Sequence, residues 1–485
     1  MKKLAAILFA LLMLFGTLTA CQKPGGNGDG TTTQAETKPA NPYVQEDGLP
    51  AKDYDGQEFV FLTATEITGG EMTVMDTDDT TDPLVSSIHY RTQFVEERFD
   101  VDVTDNRQPY ATTYNTIYAS VNAQDDAFDA CYGFITWMFP LALQNCFAEF
   151  TDIPYVDLSK EWWDQSAKEA FSIGNRLFYM TGDANMFYND YTWVLYFNKQ
   201  ILKDINEDEP YDLVENGEWT IDKMLELGTK AIANLDGQEG TNYGADRMGM
   251  VTHQYTAYAL AYGCNELFFA KDEEDLPIIT YDSERLQDVC EKVATIFSTD
   301  GFMYDTTAGN GDGSGIEETF GAGRALFCGE VLQCARRYRG METDFGILPY
   351  PKYDTTQKDY VTYSLEMVYP VGVPSHFSGA DLEMAGIILE ALHSASRNSV
   401  VSAYFDAALT SNRFLRDERS EDMLEIIFRT RCFPLATMKD FGGTVSQLMY
   451  SARTNAGGYS SFIASNTSRA QGEIDQLIKD LDKLN

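Results

Sequence analysis

Few residue types in this chain are placed where they could do chemistry. Cys21 closes the run Leu18-Thr19-Ala20-Cys21, and a small residue before a thiol fits bacterial lipoprotein processing. The thiol would take a diacylglyceryl group and become the new N-terminus; two acyl chains give firm anchoring where one is marginal. Thr136-Trp137 sets a hydroxyl beside a broad aromatic face, able to bond and to stack on a sugar ring. Asp183, Asn189 and Asp190 offer acceptors and an amide donor shortly before an apolar strand, a set suited to hydroxyl groups. Catalytic patterns are weaker. A glycosidase needs two carboxylates held about 5 to 10 Å apart, and among 75 acidic residues no pair stands out. G-x-S-x-G is absent, and the four histidines (89, 253, 376, 393) form no H-E-x-x-H. No P-loop is present, and nothing calls for a cofactor. Asp76, Asp78, Asp79 and Asp82 lack the alternation and closing acid of a calcium loop. In Asn310–Gly315 the closing position is Gly321, so no metal is expected.

Composition narrows the partners. A formal charge of −39 argues against nucleic acid and against adhesion to anionic lipid. Lys2 and Lys3 precede an apolar run from Leu4 to Phe15, too short to span a bilayer and flanked like a signal peptide, so residues 1–20 are expected to be removed. From Gln22 to about Pro50 the chain is rich in Gly, Thr, Pro, Asn and Gln and cannot offset its ordering entropy. Residues 21–52 thus read as a lipid-anchored tether reaching on the order of 30 Å. The other cysteines (131, 146, 264, 290, 328, 334, 432) are odd in number and include no C-x-x-C. That predicts buried free thiols rather than a disulfide framework, consistent with a low-oxygen habitat.

The elements that must position these residues alternate strand and helix. Gln57–Thr63, Val101–Val103, Ala127–Tyr132, Arg176–Met180 and Met248–Val251 read as strands, and Leu84–Phe99 as a helix. Tyr191–Ile232 is the most informative stretch. Trp193, Leu195 and Phe197 alternate, Gln200–Ile205 is short and amphipathic, and Thr220 stands as N-cap of a helix with Leu225, Leu227 and Ile232 near one face. Paired Trp162-Trp163 before a helix fits packing better than sugar binding. About 435 folded residues exceed one core and predict two α/β lobes.

A strand ending in Phe-Asn-Lys, a short helix, a loop and Trp219-Thr220 before a helix resembles the extracellular solute-binding proteins of ABC transporters, family 1, sugar-binding type. Glu317–Glu330, Phe345–Pro351 and Val371–Pro374 followed by the helix Leu382–Ala395 are similar to that family's elements in the same order. The resemblance implies a two-lobed periplasmic-binding-protein-like α/β fold of type II, each lobe a doubly wound sheet flanked by helices, with the ligand cleft between them. The lobes would be 53–181 plus 362–411 and 182–361 plus 412–485, with crossings near Thr181, Thr362 and Asn412. It places Thr136, Trp137, Asp183, Asn189, Asp190, Gln254, Tyr255, Glu330 and Phe441 at the cleft. It also implies a monomeric receptor on the outer face of a Gram-positive-type membrane, tethered through Cys21, that hands a small solute to ABC permease subunits. Aromatic content of 13% favours an oligosaccharide. A polyamine, drawn by Asp183, Asp190 and Glu330, or a peptide is the alternative ligand, and a secreted glycoside hydrolase the alternative class.

Overall fold

Gln57–Thr65 (β1) buries Phe59 and Phe61 at the start of the first sheet. The computed structural model describes residues 41–65, 81–185, 187–242, 244–304, 314–364, 367–406, 418–454 and 459–484. Residues 42–485 form one compact unit. In chain order its strands are β1, β2 (Val101–Pro109), β3 (Ala130–Tyr132), β4 (Trp193–Asn198), β5 (Met248–Thr252), β6 (Phe269–Lys271), β7 (Pro277–Ile279), β8 (Phe302–Tyr304), β9 (Ala325–Val331), β10 (Phe345–Leu348), β11 (Thr362–Tyr363), β12 (Val371–Gly372) and β13 (Arg431–Cys432).

Two mixed sheets organise the fold. The first has the order β12-β3-β1-β2, with β1 parallel to β2 and β3 and β12 antiparallel to β3. The second runs β10-β4-β9-β5-β8, with β5, β8 and β9 parallel and β4 antiparallel to both its neighbours. Every residue of β4 is buried, as its central place requires. First-sheet strands come from 57–132 and 371–372, second-sheet strands from 193–348. The α/β, two-lobed architecture expected from the sequence is present, one sheet to each lobe.

Local chemistry sets the helix starts. Asp82 caps Pro83–Phe99 by accepting from Leu84 and Val85 N–H, and Asn198 caps Lys199–Asp204. Thr220 Oγ1 accepts from Lys223 N at 3.3 Å, as its cap role predicts. The face that helix Ile221–Ala231 buries is Ile221, Met224, Leu227, Gly228 and Ala231, with Leu225 and Ile232 only half-buried. The helix after β12, Ala380–Ser396, is buried nearly throughout from Met384 on.

Two expectations need correction. Arg176–Met180 is not a strand, because Gly174 and Asn175 at positive φ turn the chain back so that Arg176 bridges only Ile173. Met180 alone then bridges Val371. The tether does not extend to residue 52. Asp47 is buried and receives Arg98 at 2.5 and 3.0 Å, Tyr43 stacks on Phe94, and Lys52 pairs with Glu383. A strap held by ion pairs and a single ring stack gives no hydrophobic periodicity to read. Cys21 with the proposed signal peptide, the acidic loop around Asp76–Asp79, most of Asn310–Gly315 and the crossing near Asn412 lie outside the described residues. Among the described residues no helix is long and apolar enough to cross a membrane. All seven cysteines from Cys131 to Cys432 are free, and only Cys432 is less than fully buried.

Candidate functional site

In open α/β sheets the loops after the carboxyl ends of strands face a common crevice. β3 leads through Gly133 and Phe134 into helix Ile135–Leu143, which carries Thr136 at its start. β5 leads through His253 and Gln254 into helix Thr256–Gly263. Both turns meet at a cavity of about 400 Å³, a size typical of small-molecule sites.

Its walls come from four places. Thr136 stands on the first-lobe side, and Gln254, Tyr255, Tyr258 and Tyr262 on the second. Tyr363 of β11 adds a further ring, and the chain from Ala436 to Tyr450 closes the remainder with Thr437, Met438, Asp440, Val445 and Ser446. Tyr255, Tyr258 and Tyr262 are spaced three and four residues apart and so share a helix face. The rings form a ladder: Tyr255 to Tyr258 is 5.7 Å, Tyr258 to Tyr363 is 6.3 Å at 15°, and Tyr262 to Tyr363 is 5.0 Å at 28°. His253 stacks behind Tyr255 at 5.1 Å and Trp193 lies 6.4 Å from it.

A polar knot fixes this wall. Thr252 and Thr256 hydroxyls bond each other and reach the carbonyl of Gly329, while Thr256 also meets Tyr350 OH at 3.3 Å. Among the described residues the one carboxylate lining the cavity, Asp440, is already engaged: it accepts from Val445 N at 2.9 Å, Ser446 N at 3.0 Å and Ser446 Oγ at 2.7 Å. The described walls are therefore aromatic and hydroxyl-bearing, with one internally bonded charge.

Of the residues proposed from sequence, Thr136, Gln254 and Tyr255 line this cavity. Trp137 is next to it but half-buried, its ring 4.5 Å from Tyr110 and 5.1 Å from Phe134. Asp183, Asn189 and Asp190 are placed elsewhere, each on an arginine. Arg397 Nη1 donates to Asp183 at 3.1 Å, Arg431 to Asn189, and Arg336 to Asp190 at 3.1 Å, where Tyr404 OH also donates at 2.7 Å. Burial pushes the Asp183 carboxyl up to about 7 even with Arg397 beside it. Glu330 lies off the cavity, accepts from Cys334 Sγ at 3.6 Å, and is likewise raised to about 7 by burial. Phe441 follows Asp440 but turns into the core, 5.2 Å from Phe269. Trp162 and Trp163 serve packing: both indoles donate to the buried Glu390. Sequence reasoning missed Tyr258, Tyr262, Tyr363, Asp440, Ser446 and Tyr450. The helical spacing of the first two with Tyr255 was a usable signal; the others reach the cavity only through tertiary packing.

A family model described as bacterial extracellular solute-binding protein matches residues 80–327. No curated protein matches the sequence. Among solved structures, the chain is similar to a cyclic α-maltosyl-1,6-maltose binding protein from Arthrobacter globiformis, at 11% identity over 88% of this chain and 100% of that one, TM-score 0.57. It is similar too to a cyclo/maltodextrin-binding protein complexed with maltotetraose (12% identity, 88% and 97% covered, TM-score 0.55). A third is an ABC substrate-binding protein from Listeria monocytogenes in complex with cycloalternan (12%, 88% and 100%, TM-score 0.52). At such identities the likeness is one of fold.

Proposed function

The chain belongs to the bacterial extracellular solute-binding proteins, and from that premise we propose that it is the receptor of an ABC importer for an oligosaccharide. The receptor is exported, tethered through an acylated Cys21, and hands its ligand to permease subunits. It performs no chemistry of its own. The observation that carries the ligand class is the cavity wall of Tyr255, Tyr258, Tyr262 and Tyr363 interleaved with Gln254, Thr136, Thr437 and Ser446. A sugar ring has apolar C–H faces and a rim of hydroxyls, and this wall offers flat rings to the faces and uncharged donors and acceptors to the rim. Solved neighbours that bind maltotetraose and cycloalternan support the same class. Ligand binding would favour a closed arrangement of the two lobes.

A polyamine is less well matched. Asp183 and Asp190 are taken by Arg397 and Arg336, and Glu330 is away from the cavity. The test is a thermal-shift screen of the purified protein against maltodextrins, cyclic glucans, raffinose-type sugars, spermidine and short peptides. A ligand at a hundred times its Kd is expected to stabilise the fold by about 2.7 kcal/mol, and the shift should appear with one sugar class. A shift with spermidine and none with sugars would overturn the ligand class. Recovery of a cleaved sugar would overturn the receptor reading in favour of a hydrolase.

A further inference from the structure

The two sheets are joined where several connecting segments run side by side. Residues 181–192 lead from Met180, bridged to Val371, into β4. Thr192 in that connection bridges Ser364, and the two residues just before Ser364, β11, pair in parallel with β13. The backbone bonds Thr362 N to Thr430 O at 2.9 Å and Ser364 N to Cys432 O at 3.2 Å close this seam.

Arg431 of β13 sits in the middle of it. Its side chain is buried over the rings of Tyr188 at 4.3 Å and Phe433 at 5.4 Å. One terminal nitrogen donates to Asn189 Oδ1 and the other to Asp164 Oδ2. Asp164 is itself fixed: it caps helix Gln165–Phe171 through Ala167 N at 2.9 Å, and its own N–H donates to Thr181 O at 3.1 Å. A single guanidinium therefore grips the connection between the sheets both before and after its middle. The backbone of the same residue pairs with Thr362, next to the cavity-lining Tyr363, and five residues on the chain enters the cavity wall at Ala436.

We propose that Arg431 is a positioning residue that couples the cavity wall to the connection between the two lobes. A twist of residues 181–189 must shift either Asn189 or Asp164 relative to the guanidinium. Because the guanidinium is planar, buried and held at both ends, the shift is passed to β13, to its neighbour Tyr363 and to the wall from Ala436 to Asp440. The coupling would regulate the site assigned above, yet its test needs no ligand, so it can fail separately from the oligosaccharide reading.

The experiment is amide hydrogen exchange on the full protein carrying Asn189→Ala. This substitution removes the neutral acceptor and leaves the Arg431–Asp164 charge pair intact. Exchange at 182–192 should quicken about tenfold, and exchange at 362–364 and 431–440 should quicken with it, while β1 and β4 keep their protection. Asn189→Asp restores an acceptor and should restore protection at all three segments. Faster exchange confined to 187–192 would overturn the proposal, since the wall would then be independent of the connection. So would an even loss of protection over both sheets, or a failure of Asn189→Asp to rescue, for these would make Arg431 a general support of the fold.

Discussion

Tyr363 and Tyr450 line the same cavity at opposite extremes of burial, 2% and 61% exposed. Their substitutions should therefore separate ligand contact from folding. Tyr450→Ala is expected to change stability by no more than about 0.5 kcal/mol while weakening oligosaccharide binding by about 1 kcal/mol, near fivefold, through loss of an aromatic face. Tyr363→Ala should instead cost about 3–5 kcal/mol of stability, as a large ring leaves the core. Urea melts paired with calorimetric titration of the bound sugar would check both. Equal loss of stability in the two variants would show that Tyr450 is a packing residue. The contrast also explains what could be read at this scale. Thr136 could be set at the cavity from the strand it follows, and Gln254 and Tyr255 from the family resemblance. Asp183, Asn189 and Asp190 were chosen for polarity, yet a polar triplet serves arginines as readily as hydroxyls, and only the fold reveals Arg336, Arg397 and Arg431 opposite them.

At the scale of elements, the cavity wall depends on how closely helix Thr256–Gly263 approaches β9. A Cβ placed on Gly329 would meet Tyr350 OH at 2.6 Å and the hydroxyl oxygens of Thr252 and Thr256 at 2.8 Å. Gly329→Ala is thus expected to destabilise the protein by about 1–3 kcal/mol through overpacking, and to weaken ligand binding beyond that loss by displacing Tyr255 and Tyr258. Gly321→Ala, where an added Cβ meets nothing, is the control that should leave binding unchanged. If both variants bind alike, the polar knot does not set the wall. Elements with strong periodicity were visible in the sequence: β1, β4, β5 and the helices Pro83–Phe99 and Ala380–Ser396. Arg176–Met180 has the composition of a strand, but its neighbouring chain offers single bridges instead of a ladder. The strap at 42–52 was misread for the opposite reason. Its anchor is the buried Asp47, held by the partly exposed Arg98 and by Ser394, a contact with residues far away in the chain.

For the whole molecule the governing quantity is charge, −39 over 485 residues, together with acids removed from water. Burial pushes Asp129 up to about 6 and Asp183, Glu330 and Glu390 up to about 7. Glu390 is the clearest case: fully buried, it accepts from Trp162 Nε1 at 3.0 Å, Trp163 Nε1 at 2.8 Å and Asp157 N at 3.3 Å. A carboxyl whose folded value exceeds its unfolded one holds its proton more tightly in the native state. Its contribution to stability is complete below the unfolded value and is lost as pH rises through the folded value. For Glu390 that contribution is on the order of 3 kcal/mol, lost between about pH 4.5 and 7. Asp47 sets the lower limit. Burial alone would raise it, but Arg98, the N–H of Leu49 and Ser394 together hold it below the ordinary range, so its stabilisation is lost as pH falls through that lowered value. The melting temperature should therefore rise from pH 8 to about pH 5 and fall again below about pH 4. Surface repulsion predicts the same rise, and salt separates the two causes. At 1 M salt the screening length is about 3 Å, so a slope that persists belongs to the buried carboxyls, and a slope that vanishes belongs to the acidic surface.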